Sequence, residues 1–122
     1  MDKNSLVEVG RTIIEGLQDD GVPLTAALCI REMEDDAWLL WLAPRTFKGK
    51  RSFYTALAKV LTKLRSQIGY FEISNVRSMD PASSIIGELR RFGQVRPDHP
   101  RHLSSENLGG AYLKEAVLLL LD

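Results

Sequence analysis

Leu6, Val9, Ile13 and Leu17, with Ile14 beside them, recur at three- and four-residue steps, so the first twenty residues predict a helix with one apolar stripe. Ser5 followed three residues later by Glu8 spells a capping box and sets the expected start there. Gly10 and Gly16 each cost a helix interior about 1 kcal/mol relative to Ala, so packing has to hold this helix in place. Asp20-Gly21-Val22-Pro23 stops it. Residues 24–33 and 37–43 are apolar runs too short for two helices, and the acidic cluster Glu34-Asp35-Asp36 between them predicts a β-hairpin. The second run, Ala-Trp-Leu-Leu-Trp-Leu-Ala, is apolar at both parities, as in a central strand covered on both faces, and Pro44 ends it.

The clearest helical pattern spans residues 50–67, with Phe53, Leu57, Val60, Leu61, Leu64 and Ile68 on one face and Gly69 closing it. Residues 70–76 alternate partially and predict a third strand. Asp80-Pro81 reads as a helix start, Asp as cap and Pro in the first turn, followed by Ile85, Ile86, Leu89 and Phe92, with Gly93 as the stop. Residues 94–101 hold two prolines and no period, as a loop does. Residues 102–108 and 111–121 flank Gly109-Gly110 and predict a second hairpin, with a bulge near the glycines. Ala111-Tyr-Leu-Lys-Glu-Ala equally suits a short helix by propensity, so strand and helix both stay open there. The expected architecture is α+β in the order α-β-β-α-β-α-β-β, with helices packed on a mostly antiparallel sheet.

Composition adds limits. A chain of 122 residues, 44% apolar and 26% charged, is expected to form a single domain over residues 1–122 with its own core. The lone cysteine, Cys29, lies in an apolar run and reads as a small buried hydrophobe; a single thiol excludes an internal disulfide and fits a reducing compartment. Met1-Asp2-Lys3-Asn4-Ser5 lacks the basic start and apolar run of a signal peptide, and the longest apolar runs fall well short of the roughly 20 residues that a membrane helix needs. A soluble, cytoplasmic protein with no membrane association is the expectation.

The zero net charge hides a segregation along the chain. Residues 1–36 carry nine acids against three bases, residues 37–101 twelve bases against four acids, and residues 102–122 three acids against one base. Between residues 37 and 71 there is no acid at all. Arg45, Lys48, Lys50 and Arg51 gather just before and at the start of the long helix, and Lys59 and Lys63 follow on it. A helix N-terminus presents free N–H groups and the positive end of a dipole, so these six cations are the candidate anion- or partner-binding residues. Phe47, Phe53 and Tyr54 interleave with them as in nucleic-acid binders, although Phe53 falls on the core face. Against that stand a solvated helix face and a contact with the acidic turn 32–36, within one molecule or between two. A pI near 6.7 favours these over a dedicated nucleic-acid binder.

Other candidates are weaker. No nucleotide-binding, nucleophile-elbow or zinc-protease motif is present, so no catalytic residue is assigned and a non-enzymatic protein is the expectation. His99 and His102 are separated by Pro100 and have no further Cys or His to complete a metal site, so neither metal nor cofactor is expected. Trp38 and Trp41 point to opposite faces of their strand, at least one of them into the core. Arg90 and Arg91, next to Phe92, form with Arg96 and Arg101 a smaller basic spot.

The strand ending in Leu42-Ala43-Pro44, the Phe53-Tyr54-x-x-Leu57 helix start and the ending Leu108-Gly-Gly-x-Tyr-Leu-x-x-Ala116 together resemble a scattered set of small bacterial α+β proteins of unknown function. The resemblance implies a strand at the C-terminus and a bacterial intracellular setting, and carries no activity, cofactor or site. The functional expectation is a protein-interaction module that forms a homo-oligomer or binds another protein. An accessory nucleic-acid binder using residues 45–65 is the alternative, and a small enzyme drawing on Tyr54, Arg51 and His99 comes third.

Overall fold

A computed structural model describes residues 2–31, 37–46, 48–69, 71–108 and 111–122. The strands are β1 (Leu24–Arg31), β2 (Trp38–Pro44), β3 (Val76–Ser78), β4 (Arg101–Leu108) and β5 (Ala111–Leu121), and they form one mixed sheet in the order β3-β2-β1-β5-β4. The two hairpins β1/β2 and β4/β5 are antiparallel, β1 and β5 pair antiparallel at the centre, and β3 runs parallel to β2. The α+β class and the mostly antiparallel sheet are as the sequence pattern predicts. The middle strand is β1, buried along seven of its eight residues, with β2 one place out and flanked by the short β3. At 111–121 the strand prevails over helix propensity, because β5 pairs with a neighbour on each side and buries the run Ala116 to Leu121.

Helices cover both faces. On one lie α1 (Lys3–Asp19), α2 (Lys50–Lys63) and the short α3 (Arg65–Ile68), which bury Ile13, Leu17, Leu57 and Val60 against Cys29, Leu40, Val117 and Leu119 of the sheet. On the other, α4 (Ser84–Leu89) and a 3₁₀ turn at Arg90–Phe92 bury Ile86 and Leu89 against Leu28, Ile30, Leu39 and Leu118. Among the described residues no helix is long and apolar enough to cross a membrane.

The boundaries differ from expectation where local side chains redirect the backbone. Asp2, and not Ser5, caps α1: its carboxylate accepts the Ser5 backbone N–H at 2.8 Å, a bond that holds this carboxyl below its ordinary pKa. An Asp in that place satisfies an orphan donor and also meets the positive helix end, which a Ser hydroxyl three residues on does not. The pattern over 50–67 is broken at Leu64, whose side chain lies over Gly16 of α1, so that α3 turns to bury Ile68. In place of a strand at 70–76, Phe71 is buried, residues Ile73–Asn75 make a 3₁₀ turn, and pairing with β2 begins only at Val76; Tyr70 lies outside the described residues. Asp80-Pro81 opens a turn, with the Ala82 N–H donating to the Asp80 carboxylate at 2.9 Å, and α4 starts after Ser83. The bulge expected near Gly109-Gly110 also falls outside the described residues; the register shifts that are described lie in β1, against β2 and against β5.

Candidate functional site: the basic cleft at the start of helix α2

The register of the first hairpin sets Leu24 opposite Pro44, which brings the turn after α1 beside the loop that leads into α2. The Arg45 backbone N–H donates to the Pro23 carbonyl at 2.9 Å and ties the two loops together. Between them opens a cleft of about 340 Å³, walled by Val22, Pro23, Pro44 and Phe53 and carrying Thr46, Lys48 and Ser52 as its polar groups. Gly49 precedes α2 at φ 108°, a conformation that favours glycine, and no side chain caps the helix. The first backbone N–H groups of α2 therefore have no intrahelical partner.

The six predicted cations divide into two sets. Arg45 pairs with the Asp122 carboxylate, and Lys63 meets both carboxylate oxygens of Asp20 at 2.9 and 3.0 Å. These two cations close the flanks of the basic stretch. Lys48, Lys50, Arg51 and Lys59 are exposed and have no carboxylate within ion-pair distance among the described residues. Only Lys48 of the six lines the cleft; Arg51, Lys59 and Lys63 run at helical spacing along the outer face of α2. Of the interleaved aromatics, Phe53 is buried and packs edge-on with Tyr54 at 5.8 Å, while Phe47 lies outside the described residues. The sequence pattern did not single out Val22, Pro23, Thr46 and Ser52. Their convergence follows from the hairpin register, so pairing 24 with 44 was the signal that would have found them.

The remaining candidates stand apart from this cleft. The Tyr54 hydroxyl donates to the Val76 carbonyl at 3.2 Å and accepts the Ser78 N–H at 3.1 Å, so it pins β3 to α2. Cys29 is fully buried, and desolvation pushes its thiol up to about 12. His99 is exposed beside Asp98, with Nε2 3.9 Å from the carboxylate, and no group of three metal-ligating side chains occurs among the described residues. Trp38 packs against the α1/α2 side of the sheet and Trp41 against the α4 side, each half-buried. No protein-family model, curated protein or solved structure matches the chain.

Proposed function

We propose that this chain is a protein-interaction module, non-enzymatic and self-associating, whose docking element is the basic loop 45–51 with the exposed face of α2. The observation that carries this reading is the set of four exposed cations, Lys48, Lys50, Arg51 and Lys59, without carboxylate partners among the described residues; Lys48 lines a cleft with an apolar wall, and the others lie on α2 beside it. An acidic segment with an apolar neighbour complements such a surface, since charges steer the encounter and the wall supplies contact area. The chain's own acid-rich stretch, 32–36, lies outside the described residues. It joins β1 to β2 at Arg31 and Trp38, the end of the hairpin opposite Pro44. The acid-rich stretch of a second copy is the partner proposed for the basic loop, in a head-to-tail contact that builds a ring or an open chain. Against two of the candidate nucleophiles stand the burial of the Cys29 thiol and the engagement of the Tyr54 hydroxyl with β3.

Size-exclusion chromatography with light scattering in low and high salt tests the reading. The expected result is a mass above the monomer in low salt that falls as salt rises, and a monomer in both for the double variant Lys48→Glu, Lys50→Glu with unchanged thermal stability. A monomer under all conditions removes self-association. Nucleic acid is the competing ligand for residues 45–65, and salt-dependent duplex DNA binding that the same variant abolishes would replace the protein partner.

A further inference from the structure

On the opposite side of the sheet, Phe92 closes the 3₁₀ turn after α4 and packs half-buried against the hydrophobic cluster to which Val95 and Leu103 belong. Two guanidinium groups lie over its ring: that of Arg91 at 4.8 Å from the ring centre and that of Arg101, from the edge strand β4, at 4.7 Å. Arg90 and Arg96 stand exposed nearby in the chain, and Arg90, Arg96 and Arg101 have no carboxylate within ion-pair distance among the described residues. All four cations of this cluster are arginines, whereas the α2 stretch is mostly lysine. The distinction is chemical. A guanidinium offers a planar fork that grips a phosphate through two bonds and a flat face that stacks on rings, and an ammonium offers neither.

We propose that this arginine and phenylalanine cluster is a binding surface for single-stranded nucleic acid, separate from the basic cleft and using different chemistry. Arg90, Arg96 and Arg101 hold backbone phosphates, and the stacked layers of Phe92 with Arg91 and Arg101 extend to an unpaired base. Single strands are favoured over duplex because only an unstacked base presents its face to such a layer. They are favoured over an acidic peptide because carboxylates gain nothing from the stack.

Fluorescence anisotropy with a labelled twelve-nucleotide oligouridylate and the full chain in low salt tests this. The double variant Arg90→Gln, Arg101→Gln is expected to weaken binding at least tenfold. It should also reduce the slope of log K against log salt by roughly 1.4, about 0.7 for each phosphate that is no longer neutralised on a single strand. Arg101→Lys, which keeps the charge and loses the plane, should weaken it by less. Lys48→Glu with Lys50→Glu should leave it within twofold, which separates this surface from the one proposed above. Matched melting curves for the arginine variants exclude unfolding as the cause. The proposal is overturned if the wild-type chain does not bind the oligonucleotide in low salt, or if the arginine variants bind as tightly as it does. Competition by polyglutamate of equal charge as effective as that by oligouridylate would also overturn it.

Discussion

Replacing Gly10 by Ala and Gly87 by Ala adds the same methyl group to two helices, and stability is expected to move in opposite directions. In a helix interior Ala is better than Gly by about 1 kcal/mol, so propensity alone makes both changes stabilising. At Gly87, exposed on α4, an added Cβ meets no heavy atom within 4 Å, and a gain of roughly 0.5–1 kcal/mol should appear nearly in full. At Gly10, α1 lies directly on the sheet: the new Cβ falls 2.7 Å from Leu119 Cδ1 and 3.4 Å from Leu40 Cδ1. Both leucines are fully buried, so neither can swing into solvent to make room. Overpacking of a tight core costs about 1–3 kcal/mol, which outweighs the propensity gain and leaves a net loss of about 1 kcal/mol. Urea unfolding followed by circular dichroism measures both changes, and a shift of 1 kcal/mol corresponds to about 3–5 °C in Tm for a domain of this size. Equal stabilisation by the two substitutions would refute the argument, because it would mean that α1 has room to lift from β5.

Two further outcomes are expected. Trp41 buries an indole N–H that has no hydrogen-bond partner among the described residues, so Trp41→Phe should cost less than about 1 kcal/mol, removal of the orphan donor offsetting the lost area, while Trp41→Ala costs about 3 kcal/mol. Equal losses in denaturant titrations would place the stabilisation in the indole itself. The Lys3 ammonium, 2.9 Å from Glu115, and the Arg31 guanidinium at 3.7 Å hold the Glu115 carboxyl below its ordinary 4.5. Its stabilising contribution is therefore complete at neutral pH and lost as pH falls through the lowered value, and the stability gap between wild type and Glu115→Gln should close on acidification from the ordinary carboxylate range through that lowered value. A gap that stays constant with pH would show that the pairing is not the source.

Periodicity carried the long elements of this fold because their buried faces repeat. The stripe from Leu6 to Leu17 and that from Phe53 to Leu61 mark α1 and α2, and the doubly apolar runs mark strands covered on both sides. Periodicity says nothing about competition among caps, and so Asp2 displaced Ser5 and the Asp80 turn postponed α4 to Ser84. The third strand was misplaced for a different reason. With three residues it has too few positions for alternation to register, and its place is set by parallel pairing with Leu40, Trp41 and Leu42, a non-local fact. The cations of the candidate site were visible as a run without acids, but which of them are paired was not. Asp20 and Asp122 are 43 and 77 residues from the cations that they meet.

The same non-local pairing explains how a chain of zero net charge presents a strongly basic surface. From the Leu24/Pro44 end of the first hairpin to the Arg31/Trp38 end, seven residue steps separate the start of the basic loop from Arg31 and Trp38. At about 3.3 Å per step that is roughly 23 Å, nearly three times the Debye length of about 8 Å at physiological salt. Asp20 and Asp122 compensate only the two flanks, at Lys63 and Arg45, so the field of Lys48, Lys50, Arg51 and Lys59 is directed outward. Cancellation of the total keeps long-range attraction to a polyanion weak, whereas a local run of unpaired cations still acts on a partner at short range, as the proposed docking requires. A pI near neutrality is thus no argument against a charged interface here, and salt, more than pH, is the variable to which the proposed association should respond.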